Sequence, residues 1–405
     1  MQRYEYDSGA RPLRRNRRKW FIAGVVAILI AVFLLYWFVL RAEPNPAPVN
    51  SAEQPATNIE PQPTAVSGRY LFNGTIVLAR MVERAAGNDL RLPFSGLSTF
   101  KPNQYDTMTL DWECPTTEDI IPYQTQVDNL LFNCHKKWLP EVVKHFGIVS
   151  LASNHTNDLG EDAYQETQKN LNSAGIQTYG SYDPSVAEDA CEVIGLPVRV
   201  AMPDGSETKS TLPMAFCSWM YFGREPRAGE MEVMQQFAAV MPVFGFQHTG
   251  VEYRNPAGAD QVNVAHKMID LGAEFSIGNS PHWVQNGEVY KGKPIFYSTG
   301  NFIFDQIDYE TMRGLSIDVR MKIPYNETVA KWLELAKSCN PQTRHDDCLA
   351  QAKDMGLTKY GIELTYDVVG SSGGSRRITK KADTTLQKAI EQRVGWEAMK
   401  VKLNQ

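Results

Sequence analysis

Four short polar clusters follow apolar strands of the chain, and their side chains are of the types that bind metals and transfer protons. In chain order they are Asp111-Trp112-Glu113, Ser153-Asn154-His155, His248-Thr249-Gly250-Val251-Glu252 and Asn279-Ser280-Pro281-His282. Because loops converge at the carboxyl ends of strands in α/β proteins, we expect these clusters to share one site. Carboxylate, amide and imidazole groups suit hard or borderline divalent metals. A metal pair held there would clamp a phosphoester and generate hydroxide near neutral pH.

The same residues also allow a purely structural explanation. Asn154 and Asp158 could form Asx-turns, and His155 could be a loop histidine whose hydrogen bonds are satisfied locally. Four clusters at four strand ends favour a shared site over four unrelated loops.

The elements that must position these clusters are predicted as alternating strands and helices. The strands that precede the clusters are expected at Thr107–Trp112, Ile148–Ala152, Met241–Gln247 and Glu274–Gly278. Further strands are expected at Tyr70–Ala79, Ile176–Tyr179, Val193–Met202, Leu212–Trp219, Pro294–Ser298, Leu315–Lys322 and Gly361–Val368. Helices are expected at Trp138–Phe146, Glu161–Ser173, Met231–Ala239, Ala259–Leu271 and Thr385–Leu403. Repeated strand–loop–helix units predict the α/β fold class, with late antiparallel strands closing a sheet.

Composition and charge narrow the class of protein. The chain has 405 residues, of which 43% are hydrophobic and 21% charged, which excludes a wholly disordered or collagenous protein. Residues 1–41 hold eight Lys or Arg against two acidic residues, so the remainder carries a net charge of −11 within a total of −5. So acidic a body argues against nucleic-acid binding, because neutralising phosphates requires clustered Lys and Arg.

The N-terminus is predicted to anchor the protein in a membrane. Residues 20–40 are 21 consecutive uncharged residues, and about 20 apolar residues cross the hydrocarbon core. Residues 1–19 form a basic segment with six Lys or Arg between residues 11 and 19, just before this stretch, and only Arg41 follows it closely. The imbalance predicts a single-pass signal-anchor in the plasma membrane, with a cytoplasmic N-terminus and an extracytoplasmic body. A cleaved signal peptide and a buried core helix are the alternatives.

Composition also divides the rest of the chain. Residues 41–66 contain six prolines and no hydrophobic pattern, which predicts a semi-extended linker. The main domain is expected over 67–322 and a helical insertion over 323–356. Strands and a helix that complete the domain are expected over 357–405.

Six cysteines in an extracytoplasmic body form an even set, which favours disulfides. No CxxC motif or Cys/His cluster has the spacing of a zinc finger. Cys339 and Cys348 close a short loop and are predicted to pair. Cys114–Cys134 and Cys191–Cys217 are the pairings assigned to the others, although the sequence does not fix the connectivity and free buried thiols are the alternative.

Several of these motifs resemble one bacterial family. The segments at 149–167 (VSLASNHTNDLGEDAYQET) and 272–306 (GAEFSIGNSPHWVQNGEVYKGKPIFYSTGNFIFDQ) are similar to signatures of the capsule-synthesis CapA family, the poly-γ-glutamate capsule proteins. HTGVEY at 248–253 resembles that family's HWGVEY, and DWECP at 111–115 resembles its NLEXP. The resemblance covers about residues 70–310. It implies a fold like that of calcineurin-like metallophosphoesterases, a four-layer α/β/β/α sandwich with a site at the strand ends.

The resemblance also implies roles for individual residues. The implied metal ligands, among which Glu113 would bridge two ions, are Glu113, Asn154, His248 and His282. The implied catalytic groups are His155, which would assist the leaving oxygen, and Glu252, which would orient a ligand or substrate. Residues expected to support the site are Asp111, Asn279, Ser280, Asn301 and Asp305.

Two positions depart from the family pattern. Thr75 stands where the first strand usually ends in Gly-Asp, and Ser280 stands where the first histidine of HxH is usual. A neutral hydroxyl is a much weaker ligand for a transition metal than a carboxylate or an imidazole. A two-metal centre is therefore disfavoured, and we expect either one divalent ion (Mn, Zn or Fe) or no metal. Asp111 could partly replace a lost ligand.

Three functions stay open at this point. The first is a membrane-anchored component of capsule or poly-γ-glutamate-type surface-polymer synthesis or export, with the polymer or its synthase complex as partner. The second is a metal-dependent phosphoesterase or hydrolase with a reduced, mononuclear site. The third is a polymer-binding scaffold that has kept the fold and lost the metals.

Overall fold

The computed structural model describes residues 62–339, 345–374 and 377–405, together with residues 30, 32, 33, 36 and 37. The chain divides into two units, residues 1–60 and 61–405. In the first unit the five described residues are helical and exposed. Most of the predicted anchor at 20–40 and of the predicted linker at 41–66 lies outside the described residues. Within the part of the chain that the structure describes, no helix is long and apolar enough to span a membrane.

The second unit contains sixteen described strands. They are β1 (Ala65–Ile76), β2 (Thr107–Trp112), β3 (Thr116–Thr117), β4 (Cys134–His135), β5 (Ile148–Ser150), β6 (Gln177–Tyr179), β7 (Cys191–Ala201), β8 (Glu207–Tyr221), β9 (Val243–Thr249), β10 (Ala273–Asn279), β11 (Gly287–Tyr290), β12 (Lys293–Phe296), β13 (Asn301–Ile303), β14 (Arg313–Pro324), β15 (Glu363–Ser372) and β16 (Lys380–Lys381).

The described α-helices of this unit lie between those strands and at the C-terminus. They are α1 (Arg80–Ala86), α2 (Tyr123–Asn129), α3 (Leu139–Val142), α4 (Glu161–Ser173), α5 (Ala187–Ala190), α6 (Met234–Ala238), α7 (Ala259–Asp270), α8 (Glu327–Leu335), α9 (His345–Asp354), α10 (Thr384–Val394) and α11 (Trp396–Leu403). Strands and helices thus mix throughout the unit, which confirms the α/β fold class.

Strand β1 belongs to both halves of a large mixed sheet. The main strand order is β11-β12-β10-β9-β8-β7-β1-β14-β15-β16, and β1 also pairs with β13 and with β2, which leads through β5 to β6. The pairing of β1 with β7 ends at Ser67, opposite Arg199, and its parallel pairing with β2 begins at Tyr70. The two halves of the sheet therefore separate along β1.

The two halves pack face to face through aromatic side chains. The ring of Phe72 on β1 lies 6.3 Å from that of Phe216 on β8, 6.0 Å from Phe244 and 5.6 Å from Phe246 on β9, and 5.5 Å from Phe275 on β10. These rings belong to one large buried core. Burial of large aromatic rings supplies much of the driving force for holding two sheet faces together.

A second core lies on the other face of β1 and β2. Leu71 and Leu110 pack there with Trp138, and with Tyr164 and Leu171 of α4. Because side chains alternate along a strand, Leu71 and Phe72 enter opposite cores. A helix thus covers the outer face of this half of the sheet.

Several predicted strands, helices and disulfides agree with the structure. Strand β2 and helix α4 have the predicted bounds, and β7 and β8 form the predicted hairpin. The three assigned disulfides are confirmed as Cys114–Cys134, Cys191–Cys217 and Cys339–Cys348. Several expected bounds were wrong. Strand β1 is Ala65–Ile76 rather than Tyr70–Ala79, and β15 is Glu363–Ser372 rather than Gly361–Val368. The helix expected at Trp138–Phe146 is shortened to Leu139–Val142, and the closing helix is two helices separated by Gly395.

Candidate functional site

The sheet brings the predicted clusters to one edge. Strands β1, β2, β5 and β6 are mutually parallel neighbours, as are β8, β9 and β10. Their register places Thr75 beside Asp111, Asp111 beside Ser150, and His248 beside Asn279. The polar residues that follow these strands therefore meet at the carboxyl ends of both halves of the sheet.

His248 connects the two halves of the sheet. Its Nδ1 atom lies 3.0 Å from Oδ2 of Asp111, and its Nε2 atom lies 2.7 Å from Oδ1 of Asn154. His248 and Asp111 are both buried. Since a carboxylate only accepts hydrogen bonds, Nδ1 donates to Asp111. Both ring nitrogens of His248 are thus engaged by protein side chains.

Glu113 is the most unusual group at this edge. Its side chain is fully buried, and neither carboxylate oxygen has a hydrogen-bond partner among the described residues. Burial raises the pKa of Glu113, while the nearby His282, His248 and His155 act in the opposite direction. An unsatisfied buried carboxylate is costly, so this position calls for a proton, a cation or a ligand donor.

His282 is buried beside Glu113. Its Nδ1 atom donates to Oδ1 of Asn301 at 2.9 Å, and its Nε2 atom lies 3.8 Å from Oε1 of Glu252. Burial lowers the pKa of His282, but the negative charge of Glu113 and the contacts with Glu252 and Asn301 outweigh it, so the pKa is raised. The His282 contact in turn lowers the pKa of Glu252.

His155 is held in place by hydrogen bonding and stacking. Its Nδ1 atom lies 2.8 Å from Oδ2 of Asp158, which also accepts a 2.6 Å hydrogen bond from the backbone N–H of Phe132. The Phe132 ring stacks on the imidazole with centroids 3.9 Å apart. Burial opposes protonation of His155, but the hydrogen bond to Asp158 and the charge of Glu113 raise its pKa overall. His155 is therefore oriented with one nitrogen, Nε2, left for other partners.

Arg80 extends this stack away from the imidazole. Its guanidinium lies 4.1 Å from the centroid of Phe132 and makes a 2.6 Å ion pair with Asp305. Asp305 thus contacts Arg80, whereas Asn301 contacts His282 directly. The motifs of the sequence did not point to Arg80 or Phe132. The only possible signal was the pairing of a cation with an aromatic ring, and that signal was hidden because the two residues lie 52 positions apart in the sequence.

Thr75 and Ser280 are the two residues that differ from the expected family pattern, and their hydroxyls make hydrogen bonds to other protein groups. Thr75 Oγ1 donates to Oδ2 of Asp111 at 3.0 Å, and Ser280 Oγ donates to the carbonyl oxygen of Gly250 at 3.2 Å. Asn279 accepts a hydrogen bond from the hydroxyl of Thr299. Asp111 therefore pairs with Thr75 and His248 and does not stand free as a replacement ligand.

The donor set does not fit a two-metal centre. No three His, Cys, Asp or Glu side chains of the described residues converge as metal ligands do. The hydroxyls of Thr75 and Ser280 occupy the two places where the resemblance leads us to expect stronger ligands. Both carboxylate oxygens of Glu113 lack a hydrogen-bond partner among the described residues, and such oxygens are ligands that a single cation would bind.

The family of the chain follows from the extent of its match. The family described as "Bacterial capsule synthesis protein PGA_cap" matches residues 69–306. The chain belongs to this family. All the residues of the strand-end site described above, from Thr75 to Asp305, lie inside the matched range.

Three relatives illustrate what the chain is similar to within this family and around it. It is 24% identical over 320 residues to the capsule biosynthesis protein CapA of Bacillus anthracis, a match that covers 72% of this chain and 70% of that protein. It is 48% identical to the PGA biosynthesis protein CapA of Bacillus subtilis over 59 residues, 15% of this chain and 16% of that protein. A protein of Mycobacterium tuberculosis named a probable polyglutamine synthesis accessory protein is 27% identical over 182 residues, 41% of this chain and 47% of that protein.

Proposed function

We propose that the chain is a membrane-anchored, extracytoplasmic accessory protein for the synthesis or export of a capsule or poly-γ-glutamate-type surface polymer. One observation carries the proposal: the match to the capsule synthesis family spans residues 69–306 and contains the whole strand-end site. The Bacillus anthracis relative is named a capsule biosynthesis protein and the Mycobacterium tuberculosis relative a probable polyglutamine synthesis accessory protein, so both names refer to the making of a polymer or capsule.

The location outside the cytoplasm rests on two features of the chain. The uncharged stretch 20–40 follows a strongly basic segment, which orients a signal-anchor with its body outside. All six cysteines form disulfides, and such bonds persist in oxidising compartments and are rare in the cytosol. The face-to-face sheets with outer helices also agree with the four-layer metallophosphatase-like sandwich, which we include in the proposal.

A polymer-binding role fits the site better than two-metal hydrolysis. The hydroxyls of Thr75 and Ser280 are hydrogen-bonded to Asp111 and Gly250, and His248 is engaged at both nitrogens. These contacts leave a buried polar site with histidines and carboxylates but without the ligands of a binuclear centre. Its partly exposed members, Asn154, His155 and Glu252, would offer charge and hydrogen bonds to a polymer or to a synthase partner.

A single-metal hydrolase is the second candidate, favoured by the two unpartnered oxygens of Glu113. Glu113, Asn154, His248 and His282 would hold one Mn, Zn or Fe ion, with a rearrangement of the His248 contacts. Such an ion, when bound, would lower the pKa of a water molecule. His155, already oriented by Asp158, would then hold a proton for a leaving oxygen.

Deletion of the gene tests the main proposal. Surface polymer is quantified in the parent, the deletion strain, and strains complemented with the full chain or with a chain that lacks residues 1–41. We expect polymer to disappear on deletion and to return only with the full chain. Undiminished surface polymer in the deletion strain would refute the proposal.

Metal content separates the two candidates. The full chain, purified in detergent without chelator and incubated with Mn²⁺ or Zn²⁺, is compared with Glu113→Gln and His248→Ala. About one ion per chain that is lost in both variants would support the mononuclear hydrolase. If no sample retains metal, the polymer-binding role would be favoured over the hydrolase.

A further inference from the structure

A groove with a basic lining opens at the far end of β1 from the strand-end site. Its volume is about 670 Å³, and β1, β7, β8, β14 and the segment 103–106 line it. Arg69 in the groove and Thr75 in the strand-end site are six residues apart on one strand, which corresponds to ~20 Å. The groove opens where β1 parts from β7, and it shares no lining residue with the strand-end site.

We propose that this groove binds an extended acidic chain through its carboxylate groups. The charged residues that line it are Arg69, Asp106, Arg199, Lys209 and Arg320, four cations and one anion. The inference goes beyond the proposed function because it assigns a second site. It rests on the groove alone and holds whether or not the strand-end site is catalytic.

Three carboxylates offset part of the positive charge. Asp318 accepts from Nε and Nη2 of Arg69 at 3.0 and 2.6 Å, and also contacts Nη2 of Arg320 at 3.3 Å. Asp106 lies 3.3 Å from Nη2 of Arg199. Glu207, outside the lining, is more distant from Arg199, at 3.9 Å. One buried carboxylate is therefore shared between two guanidinium groups. The four cations of the groove face three carboxylates, which leaves Lys209 as the cation without an ion pair among the described residues.

Donors in the groove are available to a ligand. Lys209 is exposed and has no ion pair with any residue that the structure describes. The side chain of Arg199 remains 36% exposed although its Nη2 atom contacts Asp106. Guanidinium groups match carboxylates in shape as well as in charge.

The surrounding charge makes this groove distinctive. The chain after residue 41 has a net charge of −11, so a positive groove is a local exception on an acidic body. A concave surface lined by one sign of charge concentrates ligands of the opposite sign. An acidic chain repelled elsewhere would therefore be held here.

The lining favours an acidic chain over a lipid surface or a neutral sugar. None of the large hydrophobic side chains exposed in the described residues lines the groove, so it offers no apolar wedge for a bilayer. Its one aromatic ring, Tyr105, is covered by the guanidinium of Arg69 at 5.0 Å. It is thus not an open platform for stacking a sugar ring.

Binding of fluorescently labelled poly-L-glutamate tests the proposal. The full chain in neutral detergent is titrated by fluorescence anisotropy at low and at raised salt. The variants Lys209→Glu and Lys209→Glu/Arg320→Glu are compared with Lys388→Glu, a reversal of an exposed lysine on α10 outside the groove that matches the single variant. We expect the double variant to bind at least about tenfold more weakly and with a flatter salt dependence, and the control to bind like the wild type.

Because Arg320 contacts Asp318, Lys209→Glu alone provides a variant that breaks no ion pair of the described residues, and it should weaken binding in the same direction. Wild-type affinity in both variants, or no binding by the wild type, would overturn the proposal. Micelles that contain phosphatidylglycerol are tested in parallel. If the groove binds these micelles and does not bind poly-L-glutamate, it is a lipid site, and the proposal is also overturned. The polymer yield of the deletion strain is independent of all these outcomes.

Discussion

Asp111 and His248 form a buried hydrogen bond of 3.0 Å between Oδ2 and Nδ1, which joins the two halves of the sheet at the strand-end site. The same oxygen accepts from Thr75 at 3.0 Å. At Thr75 the resemblance to the family implies a carboxylate, and the threonine hydroxyl instead satisfies Asp111 without adding a charged ligand. The departure in sequence therefore has a visible structural consequence.

Removing Asp111 should destabilise the protein. Asp111→Ala leaves Nδ1 of His248 and the hydroxyl of Thr75 buried without an acceptor, which we expect to cost about 2–4 kcal/mol. Asp111→Asn retains an acceptor and should cost less. Chemical denaturation of the full chain in detergent measures both. Equal stability of wild type and Asp111→Ala would show that this hydrogen bond does not join the halves.

Restoring the family's ligands should create a metal requirement. In Thr75→Asp/Ser280→His, a new carboxylate faces Asp111 and a new imidazole joins His282. Like charges in a buried site repel unless a cation lies between them. We expect a lower melting temperature without metal, and an affinity for Mn²⁺ or Zn²⁺ raised by orders of magnitude over the wild type. Thr75→Val, which removes only the hydroxyl, is the control. No gain in metal binding would contradict the assignment of Glu113, Asn154, His248 and His282 as a ligand framework.

Stability should fall as pH rises above neutrality. Burial lowers the pKa of His282, but Glu113 and the contacts with Glu252 and Asn301 raise it overall. A histidine whose pKa is higher in the folded state stabilises fully below its unfolded pKa of about 6.5, and this contribution is lost as pH rises through the folded pKa. The raised pKa of His155 acts in the same direction.

Glu113→Gln isolates this effect, because it removes the anion that favours both imidazolium ions. Unfolding free energies measured across the window above about pH 6.5 should decline for the wild type. They should be flatter for the variant. Parallel curves would mean that Glu113 does not control these histidines.

The disulfide next to Glu113 should stabilise more than the one in the insertion. Cys114–Cys134 spans 20 positions, whereas Cys339–Cys348 spans 9. The longer loop loses more entropy on closure, so Cys114→Ala/Cys134→Ala should cost about 3 kcal/mol and Cys339→Ala/Cys348→Ala about 1 kcal/mol less. Denaturation under oxidising conditions compares the two. A larger loss in the second variant would reverse this ranking.

Local sequence signals predicted much of the fold. The predicted bounds of β2 and α4 match the structure, and α4 lies between Gly160 and Gly175, whose φ angles are positive. The sequence predicted a single closing helix because its periodic pattern continues across Gly395. In the structure Gly395 has a φ of 75° and ends α10, so that two helices form. The early start of β1 at Ala65 depends on pairing with β7 and β14, which lie far away in sequence.

The site was only partly predictable for a similar reason. Strand-end positions correctly indicated which residues would gather, because that convergence follows from sheet geometry. Individual partners did not follow, since the contact of Asp111 with His248 spans 137 positions and the stack of Phe132 on His155 has no spacing signature. The basic groove was likewise invisible, because four separate strands and a loop supply its lining.

The central claim is that the strand-end site serves surface-polymer production, and surface polymer in complemented deletion cells tests it most directly. Cells that express Glu113→Gln or His282→Ala at wild-type levels are compared with cells that express Lys388→Glu. We expect both site variants to leave the surface with little polymer and Lys388→Glu to restore it fully. Full restoration by the site variants would contradict the claim.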